Sequence, residues 1–270
     1  MKISFSTLAC PDWKWEKIVD EAERLGYDGI ELRCLERELD LNRMKPFLDE
    51  NIENTIKHLR ERNLEICCLD TSCKFHNKTL FKKYLNEGTT AIDLAQKLHC
   101  GYIRIFGDDI PDMNKEDEII RGIASGINEL GEYAKDKGVM VLIETHGKFS
   151  CGDKMLKLMR HIRCKDVNVL WDVTNAFVGY GEQTEETFEK LQKYIKHVHM
   201  KDAKGRYPNA ELCMVGKGDL SLKQMIKLLR SVGYDGWLSL EWEKMWLPDL
   251  EEPEVALDVY INHIRALLSN

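Results

Sequence analysis

The sequence predicts an α/β fold, a (β/α)8 TIM barrel spanning residues 1–270 as one domain, and three observations predict it. Apolar strand-like runs alternate with amphipathic helix-like stretches from one end of the chain to the other, giving eight strand–helix units in 270 residues. A barrel of this kind takes roughly 250 residues, about 30 per unit. The strand-like runs are near-continuously apolar, as parallel strands buried on both faces should be. Four successive runs, VLIETHG, VLWDVTN, HVHMKD and LSLEWE, end in Glu144, Asp172, His199 and Glu241, spaced 28, 27 and 42 residues apart. An open doubly wound sheet places its ligand at one switch point instead of on four successive strands. No GxGxxG follows the first strand, and GxxxxGK[ST] is absent.

The units follow in order. KISFST (Lys2 to Thr7) is a short alternating run. Trp15, Ile18, Val19, Ala22 and Leu25 have helical spacing, and Gly26 supplies the stop that helix ends favour. Tyr27-Asp28-Gly29 turns into the strand IELR. Asn51 to Arg62 reads as a helix, LEICCLDT (Leu64 to Thr71) as strand three, and Leu80 to Leu98 as a helix. GYIRIFG (Gly101 to Gly107) is strand four, with a helix in Lys115 to Lys137. VMVLIETH is strand five, followed by helix Asp153 to Ile162. Val167 to Thr174 is strand six, Glu185 to Tyr194 a helix, and Ile195 to Lys201 strand seven. A loop covers Asp202 to Asp219, Ser221 to Val232 is a helix, GYDGWLSLEWE brings strand eight, and Val255 to Leu268 is the last helix. LGYDGIEL (Leu25 to Leu32) echoes VGYDGWLSLEW (Val232 to Trp242), as repeated βα units would.

Composition narrows the function classes. A net charge of −7 and a pI near 5.7 disfavour binding to nucleic acid or anionic membrane, because phosphate contacts need Lys and Arg. No apolar run approaches the ~20 residues that cross a bilayer, and MKISFSTLAC lacks the apolar core of a signal peptide. The nine cysteines are odd in number, irregularly spaced and without a CxxC. Reduced thiols in a cytoplasmic protein are the expectation.

Three carboxylates and one imidazole suit a hard or borderline divalent cation, and we expect one ion of Mn, Mg, Co or Zn held by Glu144, Asp172, His199 and Glu241. In His197-Val198-His199 the two rings share one strand face, and His199 lies nearer the mouth. His197 is therefore read as a core histidine hydrogen-bonded inside the barrel. Softer candidates for substrate contact are His146, two residues after Glu144; His76 in DTSCKFHN; Lys201, on the face of His199; Arg206 in the seventh loop; and Arg104 in strand four, for which a structural ion pair is an equal expectation. Glu243 is expected at the rim. Trp13, Trp15 and Trp246 flank strands one and eight as an apolar wall, or, for Trp15, as helix packing.

These residues resemble a known family. IETHG, WDVTN, HVHMKD, the GKGD turn at Gly216 to Asp219, and SLEWE look like the xylose-isomerase-like TIM barrels, which include sugar isomerases, epimerases and type-IV apurinic endonucleases. The resemblance covers almost the whole chain and implies one divalent metal on the same four residues. It has departures. The family's ketose 3-epimerases carry a His three residues after the metal Asp, a Glu six after the first metal Glu and an Arg six after the metal His; here these are Asn175, Ser150 and Gly205. The endonucleases' trinuclear site needs a His where Asn175 stands and an Asp-x-His pair that Tyr207 to Val215 lacks. IETHG is also similar to the metal Glu and nearby His of bacterial 3-dehydroshikimate dehydratases.

The resemblance implies a metal-dependent isomerase or epimerase acting on a sugar, sugar phosphate or related polyhydroxylated ketone. Such reactions begin with proton loss beside a carbonyl, which a metal assists by stabilising the enediolate. Glu144 and Glu241, on different strands, are the expected proton-transfer pair. The alternatives are a 3-dehydroshikimate dehydratase-type lyase and a metabolite-binding barrel without turnover. The expected partner is a small carbohydrate-like molecule, free or acidic before phosphorylated, since no phosphate loop is visible; a homo-oligomer is compatible with the sequence.

Overall fold

The computed structural model describes residues 1–269. Eight parallel strands close into a barrel: β1 (Lys2–Ser6), β2 (Gly29–Leu32), β3 (Glu65–Lys74), β4 (Tyr102–Phe106), β5 (Met140–Glu144), β6 (Val167–Asp172), β7 (Ile195–Met200) and, after a two-stranded insertion, β10 (Trp237–Leu240). The order around the ring is β1-β10-β7-β6-β5-β4-β3-β2, with β1 also pairing β2. All carboxyl ends therefore open on one face, and β5, β6, β7 and β10 are consecutive there. Helices α1 (Trp15–Leu25), α2 (Ile52–Glu61), α3 (Phe81–Lys97), α4 (Glu116–Ala134), α5 (Gly152–Met159), α6 (Val173–Tyr180), α7 (Thr184–Leu191), α8 (Leu222–Ser231) and α9 (Pro253–Ser269) complete the fold. Among the described residues no helix is long and apolar enough to cross a membrane.

The helices form where their apolar stripes predict. In α1, Trp15, Ile18, Val19, Ala22 and Leu25 are all buried, and Gly26 closes the helix at φ 78° with its N–H on the carbonyls of Ala22 and Glu23. The apolar outward-facing residues of the strands join these stripes in one large core. Cys67, Cys68 and Trp237, with Tyr102 against them, form a small separate apolar cluster at the amino ends of the strands. Buried Ser4, Glu31, Asp70, Arg104, His197, His199 and Ser239 make the strands less uniformly apolar than the sequence reading assumed.

The structure departs from expectation at several places, and strand five, expected through His146, ends at Glu144. Strand six stops at Asp172, because its carboxylate accepts from the Thr174 and Asn175 N–H groups and so caps α6, a helix the sequence reading missed. Strand three runs on to Lys74. The loop from Asp202 to Asp219 contains a small antiparallel hairpin of β8 (Asp202–Lys204) and β9 (Glu211–Cys213). Asp202 organises it by accepting from the Gly216 and Gly218 amides at 2.9 Å each. A Cβ on Gly218 would overlap the Asp202 carboxylate, so the GKGD turn serves loop closure.

Candidate active site

Glu144 ends β5, Asp172 ends β6, His199 lies in β7 and Glu241 directly follows β10. One ligand-type atom from each of the four lies within 4.8 Å of every other. His199 Nδ1 is 3.4 Å from Glu241 Oε2 and 3.9 Å from Glu144 Oε1. All four residues are buried. Glu144 Oε2, Asp172 Oδ2 and His199 Nδ1 are each buried without an aligned hydrogen-bond donor. Lys201 Nζ at 2.8 Å from Asp172 Oδ2 and Arg104 Nε at 3.1 Å from Glu144 Oε2 supply ionic contacts off the hydrogen-bond directions. Orphaned buried atoms of an O3N donor set fit a divalent cation.

Electrostatics within the cluster are asymmetric. Burial, reinforced by the charge of Glu241, pushes the Glu144 carboxyl up to about 7. Glu241 goes the other way: burial would raise it, but Lys201 and His199 outweigh burial and hold it well below the usual carboxylate range. Lys201 Nζ sits 2.6 Å from both Glu241 Oε2 and Glu243 Oε1. Burial disfavours its charge, yet Asp172, Glu241 and Glu243 overcome that and keep it an ammonium.

The sequence reading missed Glu31, on β2. It reaches across the interior to β7, accepting at Oε2 from His197 Nε2 at 2.6 Å and at Oε1 from His199 Nε2 at 2.7 Å. An ionised carboxylate only accepts, so each imidazole carries its proton on Nε2, which leaves His199 Nδ1 facing the cluster when neutral. Burial works against the Glu31 charge, but His199 and His197 more than offset it and lower its pKa well below the ordinary value. His197 thus lies where a core histidine was expected, and burial lowers its pKa. The available signal for Glu31 was a lone carboxylate inside the apolar strand GIEL, in the stretch that echoes strand eight.

A cavity of about 380 Å³ opens above the cluster. Its lining includes the acidic Glu144, Glu241 and Glu243, the cationic Arg33, Lys74, Arg104 and Lys201, and Ser72, His146, Asn175 and Trp246. A second hollow of about 400 Å³ between Glu38–Asn42 and α3 shares Ser72 with it but holds none of the four ligands.

Arg104 bonds to the Thr71 carbonyl and pairs with Asp70 at 3.2 Å as well as with Glu144, so it both braces strands and touches the cavity. Burial raises the Asp70 carboxyl to about 8 in spite of Arg104. His146 Nδ1 lies 3.2 Å from Asp108 Oδ1, and Lys74 Nζ lies 2.9 Å from Asp108 Oδ2. The His146 contact and that of Lys74 lower the Asp108 pKa, and burial's pull on His146 is outweighed by Asp108. Asp108 itself carried no sequence signal, since it follows β4 at a left-handed φ of 63° that only the folded loop reveals.

Two candidates sit elsewhere than expected. His76 lies behind the wall, 3.8 Å from Asp108, and is not among the cavity's lining residues. Arg206 is exposed, stacked 4.6 Å over the Phe177 ring because the β8–β9 hairpin turns it toward α6, and it too is outside the cavity lining. Glu243 is half-buried at the rim, as read. Trp246 is on the cavity wall, whereas Trp15 packs edge-on against Phe47 and Trp13 lies under Lys17. Asn175, where 3-epimerases carry His, donates to the Thr145 carbonyl at 3.0 Å and approaches Glu144 Oε1 at 3.5 Å.

Comparison with known proteins agrees with this architecture. The family profile of the xylose isomerase-like TIM barrel matches residues 19–266. An inosose dehydratase of Clostridium botulinum is 30% identical over 139 residues, covering 45% of this chain and 46% of the relative, so the chain spans about half the length of that protein in the match. An inosose isomerase of Halalkalibacterium halodurans is 22% identical over 236 residues, covering 83% and 81% of the two chains. Among solved structures, the IOLI protein with a bound zinc atom superposes with a TM-score of 0.82 at 16% identity, covering 100% of this chain and 98% of the other, a likeness of fold.

Proposed function

Because this chain belongs to the xylose isomerase-like TIM-barrel family, we propose that it is a divalent-metal-dependent enzyme that moves a proton at the carbon beside the carbonyl of a small polyhydroxylated ketone, with isomerisation or epimerisation as the outcome. The observation that carries this reading is the pair Glu144 and Glu241, from strands on either side of β6 and β7, converging on one cavity with opposed protonation tendencies. Pairs of acids pushed apart in this way divide the roles of donor and acceptor.

Bound by Glu144, Asp172, His199 and Glu241, a divalent ion would supply Lewis-acid stabilisation of negative charge on the substrate's oxygens. Glu241, kept ionised by Lys201 and His199, accepts the proton from carbon. Glu144, poised near neutrality, returns one. Asp172 and His199 hold their places through the α6 cap and Glu31, with no proton role. Lys201, with two of its three N–H groups donated to Glu241 and Glu243, keeps Glu241 ionised beside the substrate.

A specific observation favours a second outcome, loss of water. His146 is oriented through Nδ1 by Asp108, leaving Nε2 for the cavity, where it protonates a departing hydroxyl. The match to inosose dehydratases supports this branch. Both outcomes share the first step.

The test is deuterium wash-in from D₂O, followed by NMR, with added Mn²⁺, Mg²⁺, Co²⁺ or Zn²⁺ and a panel of ketoses, inososes and 3-dehydroshikimate. Metal-dependent exchange beside the carbonyl, lowered about 10²–10⁴-fold in Glu241→Gln, is the expected result. Full exchange in Glu241→Gln with metal bound would remove Glu241 as the base. An isomeric product establishes the first branch and an unsaturated one the second.

A further inference from the structure

The cations around the mouth are matched to carboxylates with one exception. Lys74 pairs with Asp108, Arg104 with Asp70 and Glu144, and Lys201 with Asp172, Glu241 and Glu243. Arg33, just past the end of β2, is 7% exposed and lines the same cavity, yet among the described residues no carboxylate oxygen lies within ion-pair distance of it, and Asp70 and Glu87 act on its charge only from further off. Its one side-chain hydrogen bond is from Nη2 to Ser72 Oγ at 2.7 Å. A buried charge without a counter-ion is costly and is normally met by a partner. The backbone holds Arg33 in place: its N–H and that of Cys34 both donate to Thr7 Oγ1, at 2.9 and 3.1 Å. Ser72 is held as firmly, its N–H donating to Glu87 Oε1 at 2.6 Å. Since Ser72 Oγ accepts from Arg33, its own proton is left to point at a ligand.

Position adds to the argument. In the ring of strands β2 lies opposite β6, and β3 opposite β7. Arg33 and Ser72 therefore belong to strands across the ring from those of Asp172 and His199, and they line the same cavity as Glu144 and Glu241. A molecule that presents a carbonyl to the Glu144–Glu241 side extends its far end toward the guanidinium. The planar fork of Arg is suited to a carboxylate or phosphate, which accepts two parallel hydrogen bonds from it.

We infer that Arg33 and Ser72 form an anion subsite, and that the substrate is a polyhydroxylated carbonyl compound bearing a terminal carboxylate or phosphate. This rests on the proton-transfer reading for the location of the reacting end, but the subsite itself is read from the unpaired guanidinium. It sharpens the substrate class: a neutral ketose or inosose leaves Arg33 without a counter-ion, whereas a sugar acid or sugar phosphate satisfies it.

Equilibrium binding by calorimetry tests this, with the full-length protein supplied with Mn²⁺ and two matched pairs of probes: D-sorbitol against D-gluconate, and D-fructose against D-fructose 6-phosphate. In the wild type at least one anion binds roughly 10- to 100-fold more tightly than its neutral partner, the range for a charge-assisted contact. Whichever pair shows the larger gain tells carboxylate from phosphate. Arg33→Gln brings the anion-to-neutral affinity ratio close to one, and Arg33→Lys, which keeps the charge but not the fork, retains part of the preference. Ser72→Ala, a milder change, lowers the preference and serves if Arg33→Gln does not fold. The proposal is overturned if neither anion outbinds its neutral partner in the wild type, or if folded Arg33→Gln keeps the preference. Deuterium exchange run in parallel separates the two readings. Exchange on fructose without an anion preference leaves the proton-transfer reading and removes the subsite; an anion preference without exchange on any probe does the reverse.

Discussion

Replacing Glu31 by Gln isolates what this interior carboxylate does for the mouth. Glu31 accepts from two imidazoles, at 2.6 and 2.7 Å, from a fully buried position. The amide that replaces it has one acceptor and one donor. It can keep one imidazole N–H, but its NH₂ group must meet the other Nε2. That ring then has to move its proton to Nδ1 or leave a donor facing a donor. If the ring is His199, the proton arrives on the nitrogen that faces Glu144 and Glu241. Loss of one buried charge-assisted bond costs about 1.5–3 kcal/mol, a fall of roughly 3–12 °C in melting temperature for a chain of this size. Loss of an outer carboxylate that orients a ligating histidine lowers metal affinity about 10–100-fold. Two assays separate these effects. Competition with a chelating dye gives the Mn²⁺ or Zn²⁺ affinity, and ¹⁵N NMR of the imidazoles gives the tautomer of His199. Positioning requires weaker metal binding together with a changed His199 tautomer. Unchanged metal affinity and tautomer in a protein that merely melts earlier would refute the role assigned to Glu31 and leave it a core brace.

Two further predictions follow from the geometry. Glu144 has a folded pKa of about 7, above its ordinary 4.5, so in metal-free protein folding takes up a proton across that window and stability falls as pH rises through it; Glu144→Gln removes this slope, and its melting temperature should gain on the wild type between about pH 4.5 and 7 in chelator-treated samples, parallel curves being the contrary result. Gly147 holds φ 57° with its Cβ position 2.4 Å from the Asp108 carbonyl oxygen, so Gly147→Ala should cost about 1–3 kcal/mol and displace the His146–Asp108 contact; dehydration should then suffer more than proton exchange, and equal losses would argue against His146 as the acid.

Most of the architecture was legible in the chain because local rules govern it. Helix stripes such as Trp15 to Leu25, glycine stops such as Gly26, and apolar runs at barrel spacing each depend on neighbours in sequence. The four candidate ligands were legible for the same reason: each lies at or beside a strand end, and parallel strands in a closed ring bring their ends to one face whatever the helices between them. Local pattern failed where a side chain serves two purposes. Asp172 looks like a strand end with two more residues to come, but its carboxylate caps α6 and so ends the strand. The rest was decided by contacts between strands far apart in sequence. Glu31 meets His197 and His199 across more than 160 residues, and which face of β2 carries it inward depends on closure of the whole ring. His76 and Arg206 were plausible from their loops, yet loop side chains point where the neighbouring loops leave room, and Asp108 and Phe177 claimed them. Arg33 is the reverse case: nothing beside it in sequence marks it, and only the folded mouth brings it to the cavity beside Ser72 with no carboxylate in contact.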